Sequence, residues 1–168
     1  EIVLTALKNN VRCLEYADDE LKNDRELVLI EVKESWEALK YASGDLRSDR
    51  EIVLSAVRQN GSALQYVSDE LRGNREIALT AVTNGRLFVL RQVSDELKSD
   101  REIVLTAVKN DEYALEYASE RLKCDREIVL AAVKHSGVAF KYAGDELKSD
   151  REIVLTAVEN NGYALKNA

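Results

Sequence analysis

Apolar positions recur along the chain with two nested periods. The shorter one is helical. In the stretch from Glu51 to Arg58, the residues Ile52, Val53, Leu54, Ala56 and Val57 are apolar, and only Glu51, Ser55 and Arg58 are polar. At ~100° per residue that apolar set covers an arc of about 200°, so the segment is predicted as an inner helix packed on more than one side. A breaker follows: Asn60-Gly61, and elsewhere Asn84-Gly85, Ser136-Gly137 and Asn161-Gly162. Gly or Asn just past the last apolar position suggests a left-handed helix C-cap. A second helix is then expected from Ala63, Leu64, Tyr66, Val67 and Leu71, with polar Gln65, Ser68, Asp69 and Arg72 between them. Its apolar arc is narrower, so one flank should face water.

The longer period is a repeat of about 25 residues. A Glu followed by an apolar triplet begins at Glu1, Glu26, Glu51, Glu76, Glu102, Glu127 and Glu152, which gives six full units and an incomplete seventh. Two helices of about ten residues are marginal alone in water, and a hairpin this small cannot bury its own apolar face. Stacking the hairpins removes both difficulties. The expected fold is therefore all-α, an α-solenoid of stacked ~25-residue helical hairpins, with residues 1–168 as one continuous array. Ser48 to Glu51, Ser99 to Glu102 and Ser149 to Glu152 read as Ser-x-x-Glu capping boxes at the start of inner helices. Where Asn23, Gly73 or Cys124 replaces the Ser, Asp24, Asn74 or Asp125 is the expected cap.

The stretch DREIVLTAVKN from Asp100, followed by YALEYASERLK from Tyr113, resembles the short repeats catalogued as domain of unknown function 4116. The resemblance covers essentially the whole chain. It implies an α-helical repeat and brings with it no activity, cofactor or catalytic residue. The unit beginning at Glu76 departs from the pattern, with an extra residue near Gly85-Arg86 and no Tyr in its second helix. A local change of curvature is expected there.

The units can be compared with one another. Arg25, Arg50, Arg75, Arg101, Arg126 and Arg151 each stand directly before a Glu. They suggest either a binding strip for a charged partner or, as the favoured reading, ion pairs between repeats. Tyr16, Tyr41, Tyr66, Tyr117 and Tyr142 form an aromatic column, read preferentially as closing the seam between hairpins. Two columns vary freely. One holds Val11, Trp36, Gly61, Leu87, Glu112, Gly137 and Gly162; the other holds Arg12, Glu37, Ser62, Phe88, Tyr113, Val138 and Tyr163. Packing would not tolerate Gly, Trp and Glu in turn, so these columns are expected to form a solvent-facing ridge. Exposed aromatic groups are enriched at interface hot spots. Trp36, Phe88, Tyr113 and Tyr163, with Arg86 beside the extra residue, are the candidate partner-binding residues.

Composition removes several alternatives. With 45% hydrophobic and 33% charged residues the chain folds. Its 24 Lys and Arg against 31 Asp and Glu leave a net charge of −7, which disfavours nucleic acid, although Lys22, Arg47, Arg72, Lys98, Lys123 and Lys148 form a thin basic column. No basic amphipathic helix or long apolar run indicates a membrane. The one histidine, His135, cannot build a metal site, and carboxylates that recur in every unit are the mark of architecture rather than of catalysis. No cofactor-binding motif is present. Cys13 aligns with Ala38, Ala63 and Ala114 and is expected to be a buried structural thiol. Cys124 takes a loop position too far away to pair with it. Two free thiols favour an intracellular, reducing compartment.

These readings converge on a non-enzymatic scaffold presenting a variable ridge to a protein or peptide. The alternative is a structural spacer or assembly subunit of a larger complex. No initiator Met opens the chain and neither end carries a polar capping repeat. It is therefore expected to be part of a longer chain or larger assembly.

Overall fold

A computed structural model of the chain describes residues 13–167. The inner helix expected at residues 1–10, with Val11 and Arg12, lies outside the described residues. The fold is an all-α repeat. Among the described residues six inner helices carry it: α1 (Arg25–Glu34), α2 (Arg50–Gln59), α3 (Arg75–Asn84), α4 (Arg101–Val108), α5 (Arg126–His135) and α6 (Arg151–Asn160). The chain divides into two compact units, Glu1–Asn84 and Gly85–Ala168, and the boundary falls where the extra residue enters. In the first unit α2 packs against α1 and α3; in the second α5 packs against α4 and α6. Among the described residues no helix is long and apolar enough to cross a membrane.

The wide apolar arc is buried as its spacing requires. Ile52, Val53, Leu54, Ala56 and Val57 of α2 are all in the core, as are Ile128, Val129, Ala132 and Val133 of α5. Each fully buried Ile, Leu or Val contributes roughly 1.5–3 kcal/mol relative to exposure. From the second half of each repeat, Leu39, Leu64, Leu90, Leu115 or Phe140 fills the space against these helices with no exposed surface or almost none.

At α2, α4 and α6 the start differs from the Ser-x-x-Glu expectation, the cap being the Asp one position later, whereas Asp24, Asn74 and Asp125 cap α1, α3 and α5 as expected. Asp49, Asp125 and Asp150 occupy extended backbone, and one carboxylate oxygen accepts from two N–H groups, as Asp49 does from Glu51 at 3.0 Å and Ile52 at 3.1 Å. Asp24, Asn74 and Asp100 also accept from the first turn. Ser48 instead bonds back to the Gly44 carbonyl. A charged acceptor at a helix N-terminus outcompetes a hydroxyl because it also meets the positive end of the helix dipole.

The end of each inner helix differs too. No described glycine has positive φ. The helix stops at an extended residue, with φ −155° at Asn60 and −154° at Ser136. Its N–H still closes the last helical turn, while the side chains of Asn60 and Ser136 accept from Ser62 and Val138. The glycine serves a different need. A β carbon at Gly137 would collide with the Ala157 carbonyl of the next repeat, so the residue type is set by close backbone approach.

The second half of the repeat is not one helix. It is a 3₁₀ run (Trp36–Tyr41, Gly61–Tyr66, Gly137–Tyr142, Gly162–Asn167) or a single α turn (Val89–Gln92, Ala114–Tyr117). One extended residue follows, such as Ala42, Val67 or Ala143, and then another short turn. The break frees a backbone donor. Ser43, Ser68, Ser119 and Gly144 each donate their N–H to a carbonyl of the preceding repeat, at Lys22, Arg47, Lys98 and Lys123, over 2.9–3.2 Å. A continuous helix would have consumed that N–H internally.

The arginine column ties consecutive repeats. Arg25 donates to Asp49 at 2.8 Å and Glu51 at 2.6 Å, and Arg50 pairs with Glu76. In the second unit Arg101 meets Asp125 and Glu127, and Arg126 meets Asp150 and Glu152. The capping aspartate is thus also the partner of the previous repeat. Burial alone would raise the Asp49 carboxyl, but the Arg25 guanidinium and the Ile52 and Glu51 N–H groups outweigh it and hold it below the ordinary range. Asp125 is held down against burial by the Ile128 N–H and Arg101, and Asp150 chiefly by Arg126.

Folded carboxyls with depressed pKa values bind fewer protons than unfolded ones. Their stabilisation is present above the unfolded value and is lost as pH falls through the folded value. Asp125→Ala should therefore lower stability by about 1 kcal/mol at pH 7, with a smaller deficit at pH 3. Urea titrations followed by circular dichroism at the two pH values measure this; a deficit that does not shrink in acid would contradict it.

Candidate functional site

The two variable columns do not share one environment. In the first, Gly61 and Gly137 are buried, and Glu112 accepts from the Ser136 hydroxyl of the next repeat at 3.2 Å. Trp36 is half-buried and stacks on Tyr66 of the next repeat, with ring centroids 6.4 Å apart and planes at 26°. At Trp36, Gly61, Glu112 and Gly137 this column faces the seam, whereas Leu87 and Gly162 are exposed. The solvent ridge is the second column, where Glu37, Phe88 and Tyr163 are exposed.

Within the second unit that column assembles an aromatic cluster. Phe88 lies over Tyr113 at 5.3 Å and 14°, and meets Tyr117 edge-on at 6.5 Å. The neighbouring seam carries Tyr142, whose ring lies 4.4 Å from Lys141 Nζ. Phe88 retains 40% of its surface and Leu87 beside it 52%. Offset aromatic pairs of this kind contribute ~0.5–1.5 kcal/mol beyond their burial.

Phe88 is held in a strained conformation. With φ 63° and ψ 14°, it is the one described non-glycine residue in the left-handed region, which costs about 1–2 kcal/mol for an L-residue. The reason is the extra residue in the turn after α3. It directs the Phe88 N–H at Asp111 Oδ2 in the next repeat, 2.7 Å away, while Asp111 Oδ1 accepts from Tyr113 at 2.9 Å. Asp111 is only 3% exposed. Burial raises its pKa against the Tyr113 and Phe88 N–H groups, with Glu112 raising it further and His135 opposing.

The five candidate residues are therefore distributed as follows. Trp36 lies in the first unit on its own seam. Phe88 and Tyr113 are in contact, and exposed Arg86 stands two residues before Phe88. Tyr163 is 74% exposed, has Lys166 over its ring at 5.2 Å, and makes no ring contact with the others among the described residues.

The family described as Domain of unknown function (DUF4116) matches residues 1–47, 49–98, 84–123 and 125–168. The chain belongs to that family. No curated protein and no solved structure matches it. In this DUF4116 chain the overlap of two matches at 84–98 spans the turn and second half of the irregular repeat.

Two buried acids escaped the reading of the columns. Asp111 stands where other repeats have Asn60, Ser136 or Asn161. Glu31, 1% exposed, stands where they have Ala56, Ala81, Ala107, Ala132 and Ala157. A charge replacing Ala in an otherwise constant column was the available signal. Glu31 accepts from the Leu14 N–H at 3.3 Å and from the Cys13 thiol. Burial first, then the hydrogen bond and charge of Glu31, push that thiol up to about 11. Cys124 is exposed, with its sulfur in space that a side chain at Gly144 would occupy. Among the described residues no cluster of His, Cys, Asp and Glu is fit to hold a metal.

Two outcomes follow. Asp111→Asn leaves one acceptor oxygen for two N–H groups, so it should lower stability by ~1–3 kcal/mol in urea unfolding. A variant as stable as the native chain would refute the bridging role. Maleimide labelling followed by intact mass should modify Cys124 at least roughly tenfold faster than Cys13 at pH 7.5, because only the thiolate reacts. Equal rates would show that the Glu31 contact does not protect Cys13.

Proposed function

We propose that the chain is a non-enzymatic interaction scaffold that docks a protein or peptide on the edge formed by Phe88, Tyr113, Tyr117 and Tyr142. The observation that supports this reading most is Phe88 itself. A left-handed Phe, 40% exposed, is kept in place by a buried Asp of the next repeat and two tyrosine rings. Gly would relieve the backbone strain but lose the rings' contact, and an aromatic group kept in that conformation while 40% exposed favours a contact role. Two free cysteines favour a reducing compartment.

The second reading, an assembly subunit, draws on the last repeat. Leu155, Tyr163 and Leu165 are 48%, 74% and 62% exposed. In contrast with Gly137, Gly162 meets nothing within 4 Å. Another repeat could cover this face as α6 covers its neighbour.

The test is affinity capture from a native extract with the intact chain, with Phe88→Ala/Tyr113→Ala, and with Lys148→Ala as a surface control. Bound protein should fall roughly tenfold for the aromatic pair and stay unchanged for the control. Retention by the aromatic variant, with its helical circular dichroism intact, would overturn the docking edge.

A further inference from the structure

The cations of the second unit fall into two populations. Most of those on the capping edge are engaged, whereas Arg121 and Arg151 there have no carboxylate within ion-pair distance among the described residues. Arg101 and Arg126 pair with Asp and Glu of the next repeat, and Lys98, Lys123 and Lys148 pair with Asp95, Glu120 and Asp145 three residues earlier. Those on the opposite edge, at the ends of the inner helices and in the segments after them, are not. Arg86, Arg91, Lys109 and Lys134 are exposed and have no carboxylate within ion-pair distance among the described residues.

Free cations thus share an edge with the aromatic cluster in a chain whose net charge is −7. Helix dipoles account for Lys109 and Lys134, which stand at the C-terminal ends of α4 and α5. They do not account for Arg86, in the turn, or for Arg91, in a helix of four residues. Two acids of the same edge are occupied, while Glu116 and Glu159 are exposed. Glu112 accepts from Ser136, and Asp111 is buried between two N–H groups.

Resting on the docking edge proposed above, we infer that its partner is an extended acidic peptide. The aromatic rings offer apolar faces to its side chains, and the free cations offer charge to its carboxylates. Neighbouring helices stand ~8–10 Å apart and an extended chain advances ~3.3 Å per residue, so a carboxylate about every third residue matches one cation per repeat. A single-stranded nucleic acid suits the edge less well. It carries a charge at every nucleotide, which is closer than the spacing of the cations from one repeat to the next.

The experiment is fluorescence anisotropy of the intact chain with three labelled probes: (Glu-Pro-Tyr)4, (Ser-Pro-Tyr)4 and a twelve-nucleotide oligo(dT). The acidic peptide should bind with a Kd below ~100 µM at low salt and at least roughly tenfold tighter than either other probe. Arg86→Glu/Lys134→Glu should weaken it at least about tenfold, whereas Lys148→Glu on the far edge should not. No binding of the acidic peptide up to ~1 mM, equal binding of the neutral peptide, insensitivity to the charge reversals, or tighter binding of oligo(dT) would each overturn the inference. The two readings fail separately. If captured protein is lost on Phe88→Ala/Tyr113→Ala but the acidic probe fails, the docking edge stands and the acidic class falls. If captured protein survives the aromatic substitutions, the docking edge itself falls.

Discussion

The structure depends on the seam between consecutive repeats. A unit of 25 residues offers one helix of eight to ten residues and a few short turns, too little to bury its own Ile-Val-Leu face. The neighbour supplies the missing side, and the seam specifies how it approaches. The N–H of Ser43, Ser68, Ser119 or Gly144 reaches the preceding repeat's carbonyl, and the arginine before each inner helix reaches the next repeat's cap. Apolar contact without these directed bonds would permit sliding. With them, the steps that carry these bonds within each unit have one register.

The irregular repeat shows how that register absorbs an insertion. An extra residue in a turn would ordinarily leave a donor without a partner, and a buried unpaired N–H is more damaging than a missing bond. Here the donor is Phe88 N–H, and the next repeat answers with a carboxylate in a column that is otherwise Asn or Ser. Asn60 satisfies one N–H with its single oxygen; Asp111 satisfies two. The insertion and the Asp make one device placed in adjacent repeats, and its visible product is an aromatic ring held out in a conformation that L-residues avoid.

The inner helices could be read directly from the chain, because an arc of Ile52, Val53, Leu54, Ala56 and Val57 admits no other burial. Of the tyrosine column, Tyr41, Tyr66, Tyr117 and Tyr142 are half-buried, whereas Tyr16 is 85% exposed. What escaped the reading is instructive. The second half of each repeat has helical spacing, but helical spacing does not distinguish one helix from two turns that keep the same face. The break at Ala42 or Val67 answers a donor on another repeat, which no local pattern encodes. Capping went to Asp49 and its equivalents over Ser48 because the aspartate also receives an arginine from 24 residues upstream. The glycines after the helices were taken for left-handed caps, yet Gly137 answers to the Ala157 carbonyl. Of the candidate site, Phe88 and Tyr113 came together, while Trp36 turned to a seam because the first variable column faces the next repeat at that position.

Charge pairing separates architecture from anything the chain does with its surroundings. A cation used for stacking must find its acid within the array, as Arg25, Arg50, Arg101 and Arg126 do. A cation used for a partner has to wait without one, and it then raises the energy of the free chain's surface unless solvent or salt screens it. In the second unit Arg86 and Arg91 are of the second kind, in the turn and the short helix that also carry the strained Phe88. Neither stands at the end of an inner helix, so neither is required by the stacking.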